Sequence, residues 1–184
     1  MSFTDLVLKR RSVRRFSDKP VKREDILACL EAARLAPSAC NSQPWKFIVV
    51  DDPGKRARLA GRIFSGLYSM NEFAKNAPVI IAVVSEKMKF LATVGAQVRK
   101  TEYYLTDIGI AGEHFVLRAR ELGLGTCWIG WFDEKALKEE LGVPKDRKVD
   151  VVIALGYPAE DQVVPKNRKS LAEIGAFNRY DGAL

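Results

Sequence analysis

The longest predicted helix is the feature that most limits how this chain can fold. It spans residues 97–122, and its apolar side chains, among them Ile108, Phe115 and Leu122, lie on most of its faces. Such a helix has to be buried on several sides. Gly109 and Gly112 each cost about 1 kcal/mol relative to alanine in a helix interior, so we expect another backbone to approach closely there. In a chain of 184 residues, that backbone can belong to a second subunit.

Strand-like segments alternate with helical ones along the chain. The run VIIAVV at residues 79–84 and the run VDVVIALG at 149–156 are typical of buried strands. Because several helices come without a partner strand, the pattern indicates an α+β sandwich with a central sheet flanked by helices. The other predicted strands are 45–50 and 126–131, and the other predicted helices are 3–9, 22–36, 53–61, 62–74 and 133–141. Capping residues flank three of these helices: Ser2 or Thr4, Asp52 with Pro53, and Asp133 with Gly142.

Composition narrows the class of protein. The chain has 184 residues, of which 47% are hydrophobic and 29% charged, and this predicts a single folded domain over residues 1–184. The net charge of +7 favours anionic partners. Three cysteines form no disulfide or zinc pattern, so a reducing cytoplasm is the expected compartment. No apolar run approaches the roughly 18 residues that indicate a membrane span. The Arg-rich N-terminal segment lacks the apolar core of a secretory signal, and two acidic residues interrupt it.

The segment LKRRSVRRFSDKP, residues 8–20, is strongly basic. Its five cations occupy seven positions: Lys9, Arg10, Arg11, Arg14 and Arg15. Such a run can be a solvated surface, a nucleic-acid-binding arm or part of a site for a small anion. Nucleic-acid binding requires stacking aromatic residues or a reading helix, and only Phe16 is nearby. Alternate residues of an extended chain share one side, so Arg10, Ser12 and Arg14 can converge on an anion.

The loop PSACNSQPW, residues 37–45, connects a predicted helix to a predicted strand. It is dense in amide and hydroxyl groups and is bounded by prolines. It can be an ordinary polar connection. It can also present fixed donors and acceptors to a planar heterocycle, as the pyrimidine edge of a flavin requires.

Two later segments also allow ligand binding. GLGTCWIG, residues 123–130, lacks the third glycine of a dinucleotide fingerprint, and its strand follows the glycines. The end of a helix explains Gly123 and Gly125, whereas Gly130 inside a strand marks a place where a ligand can approach the backbone. In PKNRK, residues 165–169, Lys166 and Arg168 alternate and can reach one phosphate, although a solvated tail is the simpler interpretation.

Five segments, in this order, resemble the nitroreductase family of FMN enzymes and span nearly the whole chain. They are RRSVRRF, PSACNSQPWKFIVV, AGEHFVLRARELGLGTCWIGWFD, VVIALGYP and VPKNRKSLAEI. The resemblance implies an α+β fold with a central, mainly antiparallel β-sheet flanked by helices, and a homodimer with two FMN molecules at its interface. It implies hydride transfer from NADH or NADPH through flavin N5 to a nitroaromatic, quinone or similar acceptor, without a catalytic protein side chain.

The resemblance also assigns residues to the cofactor. Arg10, Ser12 and Arg14 match positions that contact the FMN phosphate, ribityl chain and pyrimidine edge, and Arg11 completes this set. Lys166 and Arg168 match the basic pair on the phosphate. The loop that reaches the same flavin from the other subunit is matched by Pro37, Ser38, Ala39 and Asn41. The Ile129–Gly130 backbone matches the segment beside the reactive flavin edge, and Asn71 is matched with a residue that touches the pyrimidine ring.

Two other interpretations stay open. The same fold can serve another flavin reaction, such as reductive dehalogenation or flavin fragmentation. Such branches usually add lid elements, and the short segment 85–97 argues against them. Outside enzymes, the basic segment can belong to a nucleic-acid-binding module.

Overall fold

A computed structural model describes residues 1–86, 101–160 and 165–184. The described α-helices are α1 (Phe3–Lys9), α2 (Arg23–Arg34), α3 (Pro53–Ile63), α4 (Tyr103–Glu121), α5 (Glu134–Leu141) and α6 (Leu171–Ile174). Short 3₁₀ segments occur at Ala39–Asn41 and Gly66–Asn76. The described strands are β1 (Trp45–Val50), β2 (Val79–Ser85), β3 (Gly125–Ile129) and β4 (Lys148–Gly156).

The described strands form one sheet in the order β1-β2-β4-β3, and each neighbouring pair is antiparallel. This confirms the α+β class and the antiparallel central sheet expected from the sequence. β2 and β4 lie in the middle of the sheet, and most of their residues are buried, as their apolar sequences predict.

Helices cover both faces of the sheet, so the protein has two hydrophobic cores. Successive residues of a strand point to opposite faces, and β2 divides accordingly. Ile80, Ala82 and Val84 pack with α3 and α5, whereas Val79, Ile81 and Val83 pack with α2 and α4. α4 contacts α1, α2 and three strands, which agrees with the predicted burial of this helix on several sides.

The predicted helix caps are present. Ser2 Oγ accepts a hydrogen bond from Asp5 N at 3.1 Å, and Asp5 Oδ2 accepts one from Ser2 N at 3.2 Å, which forms a capping box at α1. Asp52 caps α3, whose first residue is Pro53. Gly142 ends α5 in the left-handed conformation, with φ at 65°.

The long helix differs from its prediction in two respects. It begins at Tyr103, residues 101–102 are not helical, and residues 97–100 lie outside the described part of the chain. The close neighbour of Gly112 is a side chain and not a backbone, because a Cβ there would lie 2.2 Å from Cη2 of Trp128. The expected backbone neighbour is therefore wrong at Gly112, while a Cβ on Gly109 would meet nothing within 4 Å in the part of the chain that the structure describes.

Two other predicted elements differ, and the tail contains a helix that was not predicted. Residues 62–74 do not form a second α-helix, because α3 ends at Ile63 and Gly66, with φ at 55°, turns the chain into 3₁₀ segments. β3 ends at Ile129, so Gly130 follows the strand instead of lying inside it. The tail contains the short helix α6. Most of the short segment 85–97, from residue 87 on, lies outside the described residues. Among the described helices, none is both long and apolar enough to cross a membrane.

Candidate functional site

The basic segment lies along the free edge of β3. Val13 N donates a hydrogen bond to Thr126 O at 2.8 Å, and Ser12 forms an isolated parallel bridge with Thr126. Val13 is buried, with 4% of its surface exposed, whereas Ser12 and Arg14 on either side of it are exposed. Because backbone pairing fixes Val13 toward the interior, Ser12 and Arg14 on either side of it are held toward the surface.

Two glycines make room for this segment. Gly125 and Gly156 are paired across the β3–β4 ladder. A Cβ on Gly125 would lie 2.6 Å from Cγ2 of Val13, and a Cβ on Gly156 would lie 2.9 Å from Cδ1 of Phe16. Both distances are well below van der Waals contact. Gly123, with φ at 78°, does end α4 as expected, but Gly125 belongs to β3 and serves the contact with Val13.

Two of the predicted phosphate-binding cations, Arg10 and Arg168, lie near a third, Lys166. Partial burial lowers the pKa of Lys166 below its ordinary value, and the charges of Arg10 and Arg168 lower it further. Lys166 Nζ also donates a hydrogen bond to Val7 O at 2.5 Å, which ties the C-terminal tail to α1. Glu113 of α4 lies 3.8 Å from Arg10 Nε and partly offsets the positive charge. Three cations and one carboxylate leave a site that favours a small anion.

The other cations of the segment lie elsewhere. Arg11 Nη2 donates a hydrogen bond to Glu160 O at 2.6 Å, and Arg15 lies 3.4 Å from the Glu160 carboxylate. Arg14 lies 5.9 Å from the centre of the Phe73 ring, a cation–π distance. Arg14 is thereby placed beside the Gly66–Asn76 segment.

The thiol of Cys127 lies behind the basic segment. Burial raises its pKa, while the charge of Arg14 and a hydrogen bond with Ser12 lower it in part. A buried neutral thiol is a poor nucleophile. The interactions of Cys127 with Ser12 and Arg14 instead show that these two residues lie beside β3.

The chain that follows β3 is joined to the Gly66–Asn76 segment. Asn71 Nδ2 donates a hydrogen bond to Trp131 O at 2.8 Å, and Trp131 Nε1 donates one to Leu67 O at 3.0 Å. A Cβ on Gly130 would meet no atom of the described residues within 4 Å. The Ile129–Gly130 backbone therefore adjoins open space that a planar ligand can enter.

The loop over residues 37–43 has a strained backbone. Three of its non-glycine residues have left-handed conformations: Cys40 with φ at 52°, Asn41 at 51° and Gln43 at 49°. Such conformations cluster at ligand-binding sites. Gln43 N donates a hydrogen bond to Ser38 Oγ at 2.9 Å, and Gln43 Nε2 donates one to Asn41 Oδ1 at 2.9 Å. The Ser38 hydroxyl hydrogen and Asn41 Nδ2 are thus oriented as donors, and Pro37 at the start of the loop is exposed.

α4 supports both the loop and the cation cluster. Ala39 N donates a hydrogen bond to Asp107 Oδ1 at 3.0 Å, whereas Arg10 pairs with Glu113. Asp107 and Glu113 are six positions apart, which on an α-helix is about 9 Å along the axis and about 120° around it. Within one protomer, the loop residues and the cation cluster therefore attach to separate faces of α4.

Four residues that shape the site were not predicted from the sequence: Phe73, Asp107, Glu113 and Trp131. Asp107 had a usable signal, because a charged residue among the buried positions of an apolar helix needs a partner. The others had none, since each contacts a segment that is distant along the chain.

Comparison with known proteins assigns the family. A model of the nitroreductase family matches residues 7–69 and 67–157, which is most of the chain. The fold agrees with the resemblance noted in the sequence. The chain belongs to the nitroreductase family.

Individual relatives carry several activities in their names. The chain is 35% identical to a protein of Archaeoglobus fulgidus named for NADH dehydrogenase and NAD(P)H nitroreductase activity, and the match covers 85% of this chain and 86% of that one. It is 28% identical to the iodotyrosine deiodinase of Thermotoga neapolitana, with coverage of 88% and 90%. Among solved structures, an FMN-dependent nitroreductase from Clostridium difficile superposes with a TM-score of 0.77 at 30% identity, covering 97% of this chain and 100% of that one.

Proposed function

We propose that this protein is an FMN-dependent oxidoreductase that uses NADH or NADPH to reduce a small acceptor such as a nitroaromatic or a quinone. The observation that carries the proposal is the cluster of Arg10, Lys166 and Arg168 next to α1 and α4. Family membership supports the same conclusion. When bound, FMN would supply the hydride chemistry, so the tasks of the protein are to bind and orient it.

The cation cluster suits the phosphate of FMN. A phosphate monoester carries nearly two negative charges at neutral pH, and guanidinium groups bind it in a fixed geometry. Burial is the main cause of the lowered pKa of Lys166, and the charges of Arg10 and Arg168 lower it further, whereas Glu113 acts in the opposite direction. An anion placed between these cations relieves their mutual repulsion.

Other residues suit the ring of the cofactor. The Ser38 hydroxyl and the Asn41 amide offer hydrogen-bond donors, and a flavin ring has several oxygen and nitrogen acceptors on its pyrimidine side. Arg14 can place positive charge near that side from its position next to Phe73. The open space at Gly130 leaves room for the flat ring against the backbone. Asn71 and Arg11 remain proposed contacts, although each already has a partner within the chain.

A homodimer with FMN at the interface is part of the proposal. The loop and the cation cluster attach to separate faces of α4, and this separation supports an arrangement in which each flavin contacts the cluster of one protomer and the loop of the other. Apolar side chains are exposed on α1, on α4 and in the tail, including Phe3, Leu105 and Phe177. Such surfaces are typical of association between subunits. We further propose that residues 1–184 form one domain and that the enzyme works in the cytoplasm.

One second activity has a specific observation in its favour. The similarity to an iodotyrosine deiodinase over most of both chains favours reductive dehalogenation as an alternative reaction of the same flavin site. A nucleic-acid-binding role has less support, because Arg10, Arg11 and Arg15 each contact a glutamate residue within the chain. A comparison of nitroaromatic, quinone and halotyrosine oxidants discriminates between the two reactions.

The phosphate assignment is tested by Lys166→Met. We expect the variant to bind FMN about 10- to 100-fold more weakly, because a charge-assisted hydrogen bond contributes about 1.5–3 kcal/mol. Binding of riboflavin, which has no phosphate, should not change. Both dissociation constants are measured by flavin fluorescence on protein stripped of cofactor.

Lys169→Met is the matched control. It removes a cation from the same tail, yet Lys169 is exposed and does not contribute to the lowered pKa of Lys166. Lys169→Met should leave the dissociation constants of FMN and riboflavin unchanged. Equal weakening of FMN and riboflavin in Lys166→Met would show that the cluster does not bind the phosphate, and a wild-type protein without affinity for either flavin would refute the proposed function.

A further inference from the structure

We propose that Asp107 is a positioning residue for the flavin ring. By accepting the hydrogen bond of Ala39 N, it holds the loop over residues 37–43 in the conformation that presents Ser38 and Asn41. The inference rests on the proposed function, because the ligand of this loop is the flavin proposed above.

Asp107 is the external anchor of the loop. Its side chain is buried, with 4% exposed, and Oδ1 lies 3.0 Å from Ala39 N. The other hydrogen bonds described for residues 38–43 stay within the loop: Asn41 N to Ser38 O, Ser42 N and Ser42 Oγ to Ala39 O, Gln43 N to Ser38 Oγ, and Gln43 Nε2 to the side chain and carbonyl of Asn41. Among the hydrogen bonds of the described residues, the side chain of Asp107 is therefore the one that joins this loop to α4.

The backbone of the loop needs such an anchor. Cys40, Asn41 and Gln43 all have left-handed conformations that cost energy for residues with a Cβ. Strain of this kind persists only when the surroundings over-determine it. Without the bond from Ala39, the loop can relax toward ordinary conformations, and the donors of Ser38 and Asn41 then lose their fixed direction.

The second oxygen of Asp107 argues against a purely stabilising role. Oδ2 is buried and has no hydrogen-bond partner among the described residues. A buried polar atom without a partner destabilises a fold, and the neighbouring residues Ile108 and Ala111 are apolar core residues. A carboxylate that carries this cost is expected where function requires it.

The test compares three variants on protein stripped of cofactor, well below the melting temperature of each. Asp107→Leu removes the acceptor at similar volume, whereas Asp107→Asn keeps an oxygen that can accept from Ala39 N. We expect Asp107→Leu to weaken binding of both FMN and riboflavin about tenfold and to change the visible circular dichroism of the bound flavin, since ring contacts are lost. Asp107→Asn should stay within about threefold of the wild type.

Glu134→Gln is the control. Glu134 Oε1 accepts a hydrogen bond from Val149 N at 3.0 Å, so it also joins a helix to another segment, but away from the loop. It should leave flavin binding and the dichroism unchanged. The melting temperature of Asp107→Leu should not fall below that of this control, because the unpartnered oxygen is removed together with the anchor.

A double-mutant cycle tests the route of the effect. Ala39→Pro removes the donor instead of the acceptor, and Ser38, with ψ at 157°, has the extended conformation that a following proline favours. If Asp107 acts through Ala39 N, Asp107→Leu adds no further loss of flavin affinity in the Ala39→Pro background. Should Asp107→Leu fail to fold, Asp107→Asn and Ala39→Pro still give the comparison.

Two results would overturn the inference. One is a wild-type flavin affinity and dichroism for Asp107→Leu. The other is a full, additive loss in the Ala39→Pro background. If the wild type and Glu134→Gln bind no flavin at all, the proposed function is wrong and this inference falls with it, so the two failures are distinguishable.

Discussion

Lys166 shows how the surroundings of one residue indicate a ligand. A lysine in a polar tail is ordinarily solvated, yet this one is partly buried and lies near Arg10 and Arg168. Its positive form is disfavoured in the folded chain, so its pKa falls. A bound phosphate reverses the sign of that effect, because a nearby anion favours the charged form.

Because bound phosphate raises the pKa of Lys166 again, we predict that the protein takes up protons when FMN binds. At alkaline pH, between the lowered pKa and the ordinary lysine value of 10.5, a fraction of Lys166 is neutral before FMN binds and charged afterwards. The affinity for FMN should therefore fall as pH rises through this window. Isothermal titration calorimetry in buffers of different ionisation heat measures the protons taken up.

Riboflavin provides the comparison for this titration. It should bind without the extra proton, and Lys166→Met should abolish the uptake seen with FMN. Equal proton uptake for FMN and riboflavin would contradict the prediction.

At the residue level, the sequence predicted Arg10, Lys166 and Arg168 as phosphate contacts, because each lies in a short segment whose alternate residues share a side. The structure places Arg10 and Arg168 near Lys166, and the contact with a phosphate stays a prediction. Asp107 was not found as a site residue, because its partner Ala39 lies 68 positions away and is a backbone amide. A charged residue in an apolar helix signals that a partner exists, but a backbone donor leaves no mark in the sequence that would identify it.

Among the elements, the β3–β4 ladder positions the basic segment through two paired glycines. Because Gly125 has no side chain, Val13 packs directly against the backbone of β3. Gly156 in the same way leaves room for Phe16 against β4. The direction of Ser12 and Arg14 therefore depends on the absence of a methyl group on the neighbouring strand.

Gly125→Ala tests this dependence. The added Cβ would lie 2.6 Å from Val13, so the segment must move outward, and we expect a loss of stability of about 1–3 kcal/mol. We also expect weaker FMN binding, because Ser12 and Arg14 shift with Val13. Urea denaturation and flavin titration measure the two effects.

Gly61→Ala is the matched substitution on α3, where a Cβ would meet no described atom within 4 Å. It should stabilise the protein by up to about 1 kcal/mol, as alanine does in a helix interior, without an effect on FMN. Unchanged FMN affinity in Gly125→Ala would show that the edge of β3 does not position the site.

Elements were predicted well where the apolar pattern agrees with the residues that typically begin or end a helix or strand. β1 has the predicted bounds, and Pro53 and Gly142 mark real helix ends. The prediction for residues 62–74 was wrong because Gly66 adopts a left-handed conformation that helical periodicity does not reveal. Gly112 was assigned a backbone neighbour, yet a bulky indole occupies that space, and both solutions require a glycine.

At the scale of the whole molecule, α4 organises the site. It is buried against the sheet and against α2, and it supports the loop on one face and the cation cluster on another. The fold class followed from the sequence because strands and helices have distinct apolar patterns. The interface could not be derived in the same way, since the pattern of one chain does not specify which copy completes a ligand site.

Complementation tests the proposed sharing of sites. Arg10→Ala damages the cation cluster, and Asn41→Ala damages the loop. If each flavin contacts Arg10 of one protomer and Asn41 of the other, a heterodimer of the two variants contains one doubly damaged site and one intact site. Heterodimers purified with two different tags should bind about one FMN per dimer with wild-type affinity.

Doubly tagged Arg10→Ala dimers are the control and should contain no intact site. If both residues served the same site from one protomer, every site in the heterodimer would be damaged as well. Absence of any tight site would therefore contradict the shared arrangement.

The two attachments on α4 have a consequence for cooperativity. In the proposed dimer, the cluster and the loop of one protomer serve different flavins, so a single packed helix connects the two cofactor sites. Any tilt of α4 that tightens Glu113 against Arg10 also displaces Asp107, and with it the loop at the other flavin. Occupancy at one site would then change the affinity of the second, by a factor that is the same in both directions. A stepwise titration of FMN measures that factor, and independent sites would give a value of one.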